Sequence, residues 1–217
     1  MIKVAPSILA ADPINLEQDV RRAVVSGCDW LHVDVMDAHF VPNLAYTPDV
    51  VRRLKEKFDI PLDVHLMMDH PETMLDLFLE AGASVVTIHA EIESDVPQML
   101  EKIRRHGAMA GVALKPGTSM ETIRGYRDKA DLVLTMTVEP GFGGQKLDER
   151  VLDKMKALRA AGYTGYIEAD GGLREDNLQM LIDSGLDAAV MGTALFRTDD
   201  MAGTIRRIHG MTREASV

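Results

Sequence analysis

Cysteine is almost missing from this chain of 217 residues: Cys28 stands alone, which rules out an internal disulfide and suits a reducing compartment. It reads as a small packing residue rather than a nucleophile. No apolar run approaches the roughly 20 residues of a membrane span. The opening "MIKVAPSILAAD" lacks the apolar core of a signal peptide, so a cytoplasmic protein is expected. Basic residues are in the minority, 24 Lys and Arg against 34 Asp and Glu, for a formal charge of −10. That balance argues against nucleic acid or an anionic membrane as partner. An anionic ligand must then be captured locally, by backbone N–H groups. No GxGxxG follows the first strand candidate, and no linker or shift in composition divides the chain, so residues 1–217 are expected to form one domain.

What the chain does have is a repeated alternation of short β-branched or apolar runs with amphipathic stretches. The runs are "KVAPSIL", "WLHVDVM", "PLDVHLM", "SVVTIHA", "AMAGVAL", "DLVLTMTV", "TGYIEAD" and "DAAVMG", starting at residues 3, 30, 61, 84, 108, 131, 164 and 187. Stretches such as "INLEQDVRRAVVSG", "PETMLDLFLEAG" and "DERVLDKMKALRAAG" lie between them, and Gly27, Gly82, Gly107, Gly162 and Gly185 sit where helices end. Pro71 suits a first helical turn. Eight strand–helix units predict a parallel sheet with helical crossovers. Eight is also the number that closes a (β/α)8 TIM barrel, which is favoured over an open doubly wound sheet. The terminal "MTREASV" is expected to fray.

In such barrels the chemistry sits at the C-terminal ends of the strands. In "LHVDVMDAHFVPN", residues 31–43, His32, Asp34 and Met36 alternate and so share one face of a strand. An imidazole and a carboxylate turned inward need a partner or a metal. A lone HxD is ordinarily a local hydrogen-bonded pair. His65 on the third strand and Asp170 on the seventh can converge on the same point, and two imidazoles with two carboxylates suit zinc, manganese or ferrous iron better than magnesium or calcium. His89 and Glu91 repeat the alternation but do not read as a second metal site. His39, His70, His106 and His209 read as surface.

Glycine supplies the second signal. "EPGFGGQK" follows the sixth strand, "DGG" ends the seventh and "GT" ends the eighth. Gly141, Gly143, Gly144, Gly171 and Gly172 allow backbone N–H groups to face inward, and helix starts behind the loops add positive dipole ends. Three such loops at adjacent strand ends predict a phosphate site, with Lys146 or Lys115 as optional help.

Taken in order, "PSILAAD", "HVDVMDAHFVPN", "DVHLM", "MTVEPGFGGQ", "EADGG" and "MGTALF" resemble the ribulose-phosphate 3-epimerase family over nearly the whole chain. The resemblance implies a ribulose-phosphate-binding (β/α)8 barrel that interconverts D-ribulose 5-phosphate and D-xylulose 5-phosphate. It implies one divalent metal ion per subunit (zinc, ferrous iron, manganese or cobalt) held by His32, Asp34, His65 and Asp170. Asp34 and Asp170 double as proton acceptor and donor at carbon 3, and Ser7, His65, Gly141, Phe142, Gly143, Gly144, Gly171, Gly172, Gly192 and Thr193 contact substrate. Met36, Met67 and Met136 are expected to cap the ene-diolate, with plain core filling as the alternative. The resemblance also implies a homo-oligomer, a dimer or hexamer. Two departures stand out: Ala38 where the family usually has glycine, strained if that turn needs positive φ, and Glu168-Ala169 before Asp170. Rival readings are D-allulose 6-phosphate as substrate, a phosphosugar lyase or decarboxylase using Lys115 as its amine, and a phosphate-binding barrel without catalysis.

Overall fold

The structure, a computed structural model, describes residues 1–213. Eight parallel strands run in chain order around one sheet: β1 (Lys3–Pro6), β2 (Leu31–Asp37), β4 (Leu62–Met67), β5 (Val85–His89), β6 (Met109–Leu114), β7 (Leu132–Met136), β8 (Tyr166–Asp170) and β9 (Ala188–Met191). β1 pairs in parallel with β9 at one side, and at the other a bridge between Ser7 and His32 joins it to β2, closing the barrel. Each expected strand is present, and the five helix-ending glycines all have positive φ. A two-residue strand that the sequence pattern did not signal, β3 (Leu44–Ala45), folds back antiparallel on Met36 and Asp37.

The helices pack outside the barrel, as their apolar stripes require. α4 (Val96–Arg105) shows how local sequence builds one. Asp95 caps it by accepting the Gln98 N–H at 3.0 Å, and Pro97 occupies the first turn, where no N–H is needed. Val96, Met99, Leu100 and Ile103 bury one face, worth about 2 kcal/mol each relative to exposure. Lys102, Arg104 and Arg105 line the last turn, before Gly107. The remaining helices are α1 (Leu16–Val25), α2 (Pro48–Lys57), α3 (Leu75–Glu80), α5 (Leu152–Ala160), α6 (Leu178–Asp183), α7 (Thr193–Phe196) and α8 (Met201–His209). One unit departs from the expected repeat. Between β6 and β7 there are only two 3-10 turns, Met120–Ile123 and Arg127–Lys129. Gly125 lies between them, and a glycine mid-segment costs a helix about 1 kcal/mol against alanine.

One apolar layer lies between sheet and helices, and a smaller one, with Ala5, Trp30, Leu132, Leu134 and Val190, lies inside the barrel. At the chain's end the expected fraying does not hold for the residues described: Arg213 donates to the Ile182 carbonyl at 3.0 Å, and Met211 packs on the core. Residues 214–217 lie outside the described part.

Candidate active site and metal centre

Strand alternation turns His32, Asp34 and Met36 of β2 to the barrel interior, and the register sets His65 beside Asp34 and Met67 beside Met36. On β8, Asp170 is level with Met136 of β7. The side chains of His32, Asp34, His65 and Asp170 converge so that one ligand atom from each lies within 4.8 Å of the others. His32 Nε2 stands 3.4 Å from Asp34 Oδ1, and His65 Nδ1 stands 3.6 Å from the same oxygen. Neither nitrogen has a hydrogen-bond partner, although both histidines are fully buried. Buried polar atoms are rarely left so. Two bare imidazole nitrogens and two carboxylates facing one point are satisfied by a divalent cation, so the buried cluster fits a metal.

The surroundings orient this set. Ser7 Oγ donates to Asp34 Oδ2 at 2.6 Å. Asp63, inward on β4 like His65, meets His32 Nδ1 at 2.5 Å and leaves Nε2 toward the cluster. Asp63 escaped the sequence reading, although Asp63, His65 and Met67 alternate as His32, Asp34 and Met36 do. His32, Asp63 and Glu168 form a second close group. Since Asp63 already engages the ring of His32, that group supports the ring. The small change at Glu168-Ala169 leaves a buried carboxyl there, raised well above the usual range by burial and by the charge of Asp63.

Electrostatics separate the two aspartates. Burial raises both, but attraction to His32 and His65 outweighs it at Asp34 and holds that carboxyl far below the usual range. Asp170 is pushed up to about 7 by burial and then by the negative charge of Asp34. Burial opposes charge on His32, but Asp63 and Asp34 attract its proton more strongly, so its pKa lies well above that of free imidazole. His65 is lowered by burial, and His89 by burial to about 4. A cation entering the cluster displaces any proton on a ligating nitrogen.

Above the cluster opens a cavity of about 490 Å³. Ser7, Asp34, Asp170, Gly192 and Thr193 line it together with the loops 141–144 and 171–172, and Met36, Met67 and Met136, all buried, lie against it. His32 and His65, both fully buried, sit deeper than the residues that line it. The glycines are needed where backbones crowd. At Gly172, with φ 67°, a Cβ would meet the Gln145 carbonyl oxygen and the Leu147 nitrogen at 2.7 Å each. Asn43 donates to the Gly141 carbonyl at 2.8 Å, and Gln145 donates to the Glu139 and Phe142 carbonyls at 2.8 Å each, fixing the loop. Of the expected helix starts, only α7 begins at its loop, while α5 and α6 start later, at Leu152 and Leu178. The cations differ from those the sequence offered. Lys115 holds its ammonium 3.9 Å from the Phe40 ring centre and, with exposed Lys146, is not among the lining residues, whereas Arg174 and Arg197 are. Their position just past "DGG" and "GTALF" was the available signal. Cys28 is half-buried, and burial raises its thiol to about 12, so it is no nucleophile at neutral pH.

A family model described as the ribulose-phosphate 3 epimerase family matches residues 3–196. The chain belongs to that family. It is 42% identical to the chloroplastic ribulose-5-phosphate-3-epimerase of Arabidopsis thaliana, over 100% of this chain and 79% of the relative. It is also 42% identical to the ribulose-phosphate 3-epimerase of Mycobacterium tuberculosis, over 99% of this chain and 94% of that one. The barrel superposes on the crystal structure of 3-hexulose-6-phosphate synthase from Salmonella typhimurium with a TM-score of 0.72 at 20% identity, covering 96% of this chain and 97% of the other. That likeness concerns the fold alone. Lys115, the amine that the lyase reading needed, is turned onto the Phe40 ring and is not among the residues lining the cavity.

Proposed function

We propose that this chain is a ribulose-phosphate 3-epimerase that interconverts D-ribulose 5-phosphate and D-xylulose 5-phosphate. The observation that carries the reading is the convergence of two carboxylates from separate strands, Asp34 on β2 and Asp170 on β8, with His32 and His65 at the floor of a glycine-rimmed cavity. Epimerisation at carbon 3 removes a proton from one face and returns one to the other. Asp34, oriented by Ser7, takes the first proton, and Asp170 supplies the second; in the reverse direction they exchange tasks. His32, Asp34, His65 and Asp170 would hold one divalent ion (zinc, ferrous iron, manganese or cobalt), which when bound would supply electrostatic stabilisation of the negative charge developing on the sugar oxygens. Met36, Met67 and Met136 exclude water above the reacting carbon. Backbone N–H groups of the 141–144 loop, Gly171, Gly172, Gly192 and Thr193 bind the phosphate, which explains how an acidic protein holds an anion.

Residues 1–217 act as one barrel domain in the cytoplasm, and the family resemblance supports a homo-oligomer, dimer or hexamer, which sedimentation velocity would distinguish. The activity test is turnover of D-ribulose 5-phosphate in deuterated water, with D-allulose 6-phosphate in parallel. Deuterium at carbon 3 of the product and a higher kcat/KM for the pentose are expected. Retention of the original hydrogen, or preference for the hexose, would overturn the reading.

A further inference from the structure

Behind the ligand cluster a second chain of buried groups leads away from His65. His65 Nε2 and His89 Nε2 are 2.9 Å apart, with the rings stacked at 5.0 Å. His89 Nδ1 is 2.9 Å from Glu91 Oε2, and the other oxygen of Glu91 accepts the Lys115 backbone N–H at 2.7 Å. Both rings are fully buried. Neither His89 nor Glu91 lines the cavity or belongs to the ligand set.

Hydrogen-bond direction along this chain is constrained at one end. An ionised carboxylate only accepts, so the proton on His89 faces Glu91 and sits on Nδ1. With one proton per ring, His89 Nε2 is an acceptor, and the contact to His65 needs a donor from His65 Nε2. His65 Nδ1 is then left with a bare lone pair, directed at the point where His32, Asp34 and Asp170 converge. A proton on Nδ1 instead would find Asp34 Oδ1 at 3.6 Å, beyond hydrogen-bond reach.

We propose that Glu91 is a positioning residue that, through His89, fixes the tautomer of His65 and so prepares Nδ1 to bind the cation. The inference rests on the reading of His65 as a metal ligand. Glu91→Gln tests it because the amide cannot satisfy both neighbours as the carboxylate does. If its oxygen keeps the Lys115 N–H, its NH2 faces His89 Nδ1, which must accept. His89 Nε2 then donates, and the proton of His65 moves to Nδ1.

The experiment uses the full chain, 15N-labelled and stripped of metal, with two readouts: the imidazole 15N shifts of His65, and Zn²⁺ affinity by competition with a chromophoric chelator. The wild type is expected to show a pyridine-type Nδ1 and a pyrrole-type Nε2. Glu91→Gln is expected to reverse them and to lower Zn²⁺ affinity about 10- to 100-fold. Glu91→Asp, which keeps an acceptor, is expected to retain the wild-type tautomer and most of the affinity. A wild-type proton on Nδ1 overturns the proposal, even if Glu91→Gln does not fold. So does affinity loss in Glu91→Gln without reversal, or reversal without loss. His65→Ala separates the two layers: unchanged Zn²⁺ affinity there overturns the ligand reading itself, whereas a large loss beside an unreversed Glu91→Gln overturns the relay alone.

Discussion

Asp34 is held from both sides, with Ser7 on one oxygen and two imidazoles facing the other. Asp34→Asn and Asp170→Asn each keep the shape and remove the proton exchange. Each is expected to lower kcat by about 10²- to 10⁴-fold, with an unchanged circular dichroism spectrum, in a coupled epimerase assay. Ala38 is a different kind of residue. It is the one non-glycine with positive φ among the described residues, at 62°, in the turn that sends β2 into β3. The sequence reading left open whether that turn strains alanine, and the backbone angle answers it. A left-handed conformation costs an L-residue about 1–2 kcal/mol, part of which glycine's freer unfolded chain takes back. Ala38→Gly is therefore expected to stabilise the fold by about 0.5–1 kcal/mol, seen as a higher urea midpoint with the same slope.

Among the elements, the strands were legible because inward and outward side chains alternate, and the helix ends because glycine marks them. The 3-10 stretch between β6 and β7 was not, since "METIRGYRDK" carries helix-forming residues on both sides of Gly125. Asp63 and the roles of Glu91 and His89 were hidden for another reason: a carboxylate's partner across a barrel depends on register, which no single strand discloses. Two loops give tests at this scale. Gly172→Ala would drive a methyl into backbone atoms of the 141–147 segment. With even one charge-assisted hydrogen bond to phosphate lost, KM is expected to rise about tenfold or more, with a smaller change in kcat. Asp29, just before β2, ties three elements: it accepts from Lys3 Nζ at 3.0 Å and from the Val4 N–H and His209 Nε2 at 2.8 Å each. Burial would raise its pKa, but these bonds outweigh it and depress the carboxyl below its usual value. Its contribution is then present above the unfolded pKa and lost as pH falls through the folded one. Asp29→Asn is expected to cost about 1–2 kcal/mol at pH 7, with the gap to wild type closing below about pH 4, as measured by urea unfolding across that range.

For the molecule as a whole, ligand occupancy and stability are linked. Zn²⁺ at a hundredfold excess over its Kd adds about 2.7 kcal/mol, which for a chain of this length raises Tm by about 5–10 °C. Chelation is expected to reverse that shift in differential scanning calorimetry, and His32→Ala to abolish it. The net charge of −10 was readable at once, but its reconciliation with a phosphate ligand was not complete until the loops were seen to face one cavity. The seam of the barrel has one more implication. Ser7 and His32, the residues bridged where the first strand meets the second, are also those that grip Asp34 and face the cation, while β1 finds its other neighbour in the last strand. A nascent polypeptide still lacking β9 holds β1 on one side only, through that bridge, and the four converging residues are all present only once Asp170 has been made.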